Sequence, residues 1–217
     1  ERTRNGPTMR RRCENSNLPP RVCVTGWTTR LVAPFAEAAL CWLTLISFQT
    51  HAARAQDIID ERREYNVKAV SLYAFGRYVS WPEAAFQHAE SPFVIGVLGG
   101  NPFGDALERI ASKKTLNNRP IVVRPLSAVH QATECHIVFV TRRVSAEIQD
   151  ELFAHVAGKP VLLVGETPGF AERGGIINFY HSGNNVRFEL NPDKGVESQL
   201  SLNAKLLSLG TRASSRK

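Results

Sequence analysis

The run "FVIGVL", Phe93 to Leu98, continues into "GGNPFG", which ends at Gly104, and it is apolar without alternation. A strand with one wet face alternates; a continuous apolar run is what a strand covered on both faces requires. "PVLLVG", Pro160 to Gly165, repeats this signature, and "RPIVVRPL" (Arg119 to Leu126) and "CHIVFVT" (Cys135 to Thr141) read as further strands. Between them lie helical stretches. "GNPFGDALERIASKK" reads as a turn into a short helix with Pro102 near its first position, and "VSAEIQDELFAHVAG" as a helix capped by Ser145 and closed by Gly158. Strands alternating with helices predict an α/β fold: a single-domain layered sandwich with a mostly parallel sheet, right-handed crossovers and helices on both faces.

Both ends of the domain extend this pattern. From Asp57 to Trp81, Val67, Val70, Ala74 and Tyr78 share one helical face, with Leu72, Phe75 and Val79 widening it, and Pro82 ends the helix. That face is expected in the core. Downstream, "GIINFYHSG" and "NNVRFELN" predict a C-terminal antiparallel hairpin turning near "SGNN". A last helix is expected from Pro192 to Leu209, with Leu200, Ala204 and Leu207 on one stripe and Leu202, Leu206 and Leu209 on its neighbour.

The formal charge of +7 over 217 residues suggests an anionic partner until it is located. Residues 1 to 55 hold 8 Lys/Arg against 3 Asp/Glu, which leaves 19 against 17 for the rest, so the folded part is nearly balanced and nucleic acid is not expected. The first 55 residues carry "MRRR", the 11-residue apolar run "AALCWLTLISF" and "ARA" at Ala53 to Ala55. These are the parts of an export signal, too short in its apolar run to span a bilayer. Cleavage is predicted after Ala55, giving an exported domain over 56–210 and a polar tail over 211–217. Cys13, Cys23 and Cys41 leave with the leader, and Cys135, in an apolar strand, is expected to be buried.

Chemistry is sparse. The turn with Gly99, Gly100 and Gly104 lacks G-x-G-x-x-G spacing, so a tight strand-to-helix turn outweighs a phosphate loop. There is no C-x-x-C, H-E-x-x-H or G-x-S-x-G, and Cys135 and His136 point to opposite faces of a strand; no metal, cofactor or catalytic set is expected. Glu166 follows a buried strand at its carboxyl end, where open α/β sheets place ligands. In "NNVRFELN", Val186, Phe188 and Leu190 point one way and Arg187, Glu189 and Asn191 the other, a face that is either solvated or a recognition surface.

Six stretches taken together resemble the YfiR-like family of periplasmic proteins: "VKAVSLYAFGRYVSWP" (67–82), "IGVLGGNPFG" (95–104), "CHIVFV" (135–140), "GFAERGGIINFY" (169–180), "NNVRFELN" (184–191) and "LSLNAKLLSL" (200–209). The resemblance implies a regulator rather than an enzyme. In that family a periplasmic repressor holds an inner-membrane diguanylate cyclase inactive by binding its periplasmic region, and an outer-membrane lipoprotein can sequester the repressor. It also implies an α/β sandwich that tends to form a homodimer, with effects on cyclic di-GMP and biofilm formation. Relatives often carry cysteine pairs that form disulfides, which this chain lacks once its leader is gone. The family's aromatic pattern falls on Tyr73, Phe75, Tyr78, Trp81 and Pro82. At helical spacing most of these are core, with Trp81 expected to be partly exposed and to anchor a partner. His181, Asn185, Arg187 and Glu189 on the hairpin are the other partner-binding candidates. The alternative from the residues alone is a periplasmic small-molecule binder or enzyme using Gly99, Gly100, Gly104 and Glu166.

Overall fold

A parallel sheet needs cover on both faces, and two separate apolar clusters supply it. The computed structural model describes residues 58–213. A long helix, α1 (58–78), leads into the short strand β1 (Val79–Ser80) and, after Pro82, a 3-10 turn at Glu83–Ala85. Then come β2 (Phe93–Leu98), α2 (Ala106–Lys113), β3 (Thr115–Leu116), β4 (Arg119–Leu126), a 3-10 segment (Val129–Glu134) and β5 (Ile137–Val140). Next are α3 (Ala146–Val156), β6 (Leu162–Gly165), α4 (Phe170–Arg173) and the hairpin of β7 (Ile177–Ser182) and β8 (Asn185–Leu190). The chain ends with α5 (Pro192–Glu197), β9 (Ser201–Leu202), α6 (Ala204–Leu209) and β10 (Thr211–Arg212).

The main sheet has the order β10-β8-β7-β6-β5-β2-β4-β3, and β1 and β9 form a separate antiparallel pair. Pairing is parallel from β4 through β2, β5 and β6 to β7, and antiparallel in the β7–β8 hairpin and at β3. Every residue of β2, β5 and β6 is buried, as their unbroken apolar runs demand. Ile95, Val97, Phe139 and Val164 face one cluster with Leu72 and Phe75 of α1 and Leu107 of α2. Val94, Val138, Val140 and Leu163 face the other, with Leu152 and Val156 of α3 and Phe170 of α4. The layered α/β sandwich with helices on both faces is thus the observed fold.

α3 follows the local rules closely. Ser145 caps it by accepting from the Ile148 amide, and Gly158, at φ +70°, takes the left-handed position just past its end. α2 begins later than expected: Pro102 lies outside it, and Gly104 at φ +59° turns the chain before Ala106. Cys135 is buried, and burial pushes its thiol up to about 11.

Three expectations are corrected. The buried stripe of α1 is rotated from the expected one: Leu72, Phe75 and, just past the helix, Val79 are buried as expected, joined by Tyr65, Lys68 and Ala69, whereas Val67 and Val70 are 45% and 59% exposed. The buried residues step by three or four and form the continuous stripe, with Lys68 inside it. Secondly, the single helix expected over 192–209 is broken. Asn191 caps α5, Gln199 sits at φ +57°, and Ser201–Leu202 then pair with Val79–Ser80 before Asn203 caps α6. Leu200 and Leu206 are buried, but Leu207 and Leu209 face water. Finally, the tail expected from Thr211 begins as a strand, because Thr211 and Arg212 pair with Glu189 and Leu190 and Ala213 is buried. The predicted leader, 1 to 55, and residues 214 to 217 lie outside the described residues.

Candidate functional site

The parallel strands all leave the sheet at the same edge, so Gly99 after β2, Thr141 and Arg142 after β5, and Glu166 after β6 share it. α1 runs back across the sheet with Tyr65 and Lys68 over that edge and with Val79 and Trp81 at the opposite one, where Trp81 meets Phe93 at the start of β2. A charged knot results. Lys68, 2% exposed, donates to Glu64 one turn earlier and to Glu166 Oε2 at 2.5 Å. The Glu166 side chain is 1% exposed, and its Oε1 accepts from the Tyr65 hydroxyl at 3.1 Å and from the Arg142 amide at 2.9 Å. The Arg142 guanidinium donates to Glu64 at 2.7 Å, and His181 Nε2 of β7 stands 3.3 Å from the same oxygen.

A lysine and a glutamate this deep are tolerable only together, because each alone would face a desolvation penalty of several kcal/mol. The neighbouring groups respond accordingly. Burial raises the pKa of Glu64, but the Lys68 hydrogen bond and the charges of Lys68, Arg142 and His181 outweigh it, and the carboxyl ends below its ordinary value. Burial and then the Glu166 charge push the Tyr65 hydroxyl up to about 12. Burial opposes the charge on Arg142, yet Glu166, Tyr65 and Glu64 hold its guanidinium still more firmly protonated than usual. The knot binds α1 to the ends of β5 and β6. With both Glu166 oxygens engaged inside the protein, its chemistry is that of a structural ion pair rather than a general base.

Beside the knot opens a cleft of about 510 Å³ between α1 and the hairpin. Arg63, Glu64 and Val67 line it from α1, Arg142 from the β5–α3 loop, and His181, Asn185 and Val186 from β7 and β8. Val67, exposed by the turn of α1, gives the cleft an apolar element among charges of both signs.

The family model described as YfiR/HmsC-like matches residues 65–211, the span from Tyr65 of α1 to Thr211 of β10. The chain belongs to the YfiR/HmsC-like family. No curated protein matches the chain closely enough to name a nearer relative. The YfiR/HmsC-like family is a regulatory, non-catalytic one. Among the described residues no helix is long and apolar enough to cross a membrane.

Within this YfiR/HmsC-like domain the predicted site residues separate. His181 and Asn185 line the cleft beside the knot. Arg187 is exposed but points away from Val186, to the other face of β8. Glu189 is 2% exposed and accepts from Asn178 Nδ2 at 2.9 Å, so the face read as solvated or recognising is closed at that position. Trp81 is half-buried, stacked edge-on against Phe93 at 4.9 Å with its indole Nε1 out of reach of solvent; it is a packing residue at the amino edge of the sheet. Gly99 and Gly100 adopt φ +93° and +88°, and Gly99 is locked by Thr141 Oγ1, which donates to its carbonyl at 3.1 Å. Lys68, Glu64 and Arg142 escaped the sequence reading. The signal was only partial: Lys68 lies on the stripe of Tyr65, Leu72 and Phe75, but the carboxylate that lets it be buried there, Glu166, is 98 residues away.

Proposed function

We propose that the protein is an exported, non-enzymatic regulator that binds the periplasmic region of an inner-membrane signalling protein, a diguanylate cyclase, and holds it inactive, lowering cyclic di-GMP. The observation that carries this reading is the YfiR/HmsC-like match over 65–211. Repression of this kind needs only differential affinity for two states of the partner, not chemistry. The cleft between α1 and the hairpin, with Val67, His181 and Asn185, is the assigned contact surface. A homodimer and an outer-membrane lipoprotein that competes for the regulator complete the proposal.

The test is the intracellular cyclic di-GMP level in a deletion strain. It should rise on deletion and fall again with the full gene, but not with a gene lacking residues 1–55. Val67→Glu and Asn185→Arg, both at exposed positions, should fold normally and leave the level high. A deletion that changes nothing would remove the regulatory reading; variants that repress as well as the parent protein would move the contact surface elsewhere.

A further inference from the structure

The order β4-β2-β5-β6-β7 reverses direction between β2 and β5, and in open α/β sheets ligands bind outside the carboxyl ends of the strands at such a reversal. Here the crevice itself is shut by the Thr141–Gly99 hydrogen bond and by Tyr65, whose ring meets Phe103 edge-on at 5.6 Å. Just outside it lies a second cleft, of about 600 Å³, between α1, the β2–α2 turn and the loop after β5. Three guanidinium groups from three separate elements line it: Arg62, Arg109 and Arg143. Arg109 is paired with Asp105. The side chains of Arg62 and Arg143 are exposed and have no ion pair or hydrogen bond among the described residues. Arg143 Nη1 lies 3.7 Å from where a side chain on Gly100 would begin, so the guanidinium covers bare backbone. Glu61 and Asp105 also line the cleft and leave it one positive charge in excess.

We propose that this cleft binds the phosphate group of a small phosphate monoester. Each free guanidinium fork matches a pair of oxygens, and a carboxylate has only one such pair, whereas a phosphoryl group has three oxygens to share between two forks. The dianion that such an ester carries near neutral pH offsets both unpaired arginines. The assignment is independent of the partner reading, since none of these three arginines lines the cleft beside the hairpin.

The full chain would be melted against increasing inorganic phosphate and glycerol phosphate, with sodium chloride at matched ionic strength and succinate as a carboxylate comparison. The expected result is a saturable rise in Tm with both phosphates, lost in Arg62→Gln/Arg143→Gln and kept in Arg63→Gln. Because the Arg62 and Arg143 guanidinium groups are exposed and make no ion pair or hydrogen bond among the described residues, the double variant in chloride should melt close to the parent protein. Calorimetric titration of Arg143→Gln alone should show phosphate affinity reduced about tenfold, the worth of one charge-assisted fork. The proposal is overturned by a rise that survives in the double variant, by no rise beyond chloride, by a response to succinate alone, or by undiminished affinity in Arg143→Gln.

Discussion

Replacing Lys68 by Met keeps the length of the side chain and removes its charge, leaving the Glu166 side chain, 1% exposed, without its ammonium partner. Breaking a buried pair from one side costs about 3–5 kcal/mol. The lower end is expected here, about 3 kcal/mol, because Glu166 keeps two neutral donors, the Tyr65 hydroxyl and the Arg142 amide, and the Arg142 guanidinium stands 3.5 Å away. For a domain of this size that corresponds to a fall in Tm of about 6–12 °C. Glu166→Gln in the same background removes the stranded charge while retaining an acceptor, so the double variant should recover at least about 1.5 kcal/mol relative to the sum of the single losses. Urea denaturation of the four proteins measures both quantities. A Lys68→Met loss below about 1 kcal/mol, or strictly additive losses, would refute the account of the knot as one coupled unit. An acid titration adds a check with a definite sign. Glu64, held below its ordinary value of 4.5, contributes stability that is complete above that value and is lost as pH falls through the lower folded one. Lys68→Met should flatten that acid limb, since Lys68 supplies the leading favourable interaction.

Two further outcomes follow from the core. His136 is lowered to about 4 by burial, its ring stacked against both Phe86 and Phe93 and its Nδ1 accepting from the Val94 amide. The neutral ring therefore stabilises the fold fully above pH 6.5, and up to about 3 kcal/mol should be lost between there and pH 4; a Tm that stays flat over this range would contradict it. Gly99→Ala, at φ +93° with its new Cβ 2.2 Å from Thr141 Oγ1, should lower Tm far more than Gly104→Ala, at φ +59° in open space, which should cost about 1 kcal/mol. Melting curves that coincide for the two would show that Thr141 can move aside.

The sheet was legible because its central strands are covered on both faces, and that condition writes itself as unbroken apolar runs from Phe93 and Val161. The cap at Ser145 and the turn at Gly183 were legible because their causes are local. The face of α1 was not, because Val67 and Val70 carry the hydrophobic signal while the neighbouring Lys68 is the residue buried. Its burial depends on Glu166, 98 residues away. The same distance effect hid the break in the last helix, since the pairing that draws Ser201 and Leu202 out of helical geometry comes from Val79 and Ser80. Glu166 was singled out from its place at a strand end, and Glu189 as an exposed contact residue failed because its neighbour Asn178, on β7, supplies a partner that alternation cannot reveal.

α1 is the first described element, yet its fastenings are all to later ones: Tyr65 and Lys68 to Glu166, and the strand that ends it to Leu202. A chain made from its N-terminus onward must carry this helix, with an ammonium group in the middle of its apolar stripe, until β6 and then β9 have emerged. The strands β2, β4 and β5 are close enough in sequence to associate before then, so docking of α1 is set as a late event with a high entropic cost of closure. Until that moment Lys68 keeps the stripe hydrated, and a charged residue that the finished protein buries is the one that protects its longest described helix while the fold is incomplete.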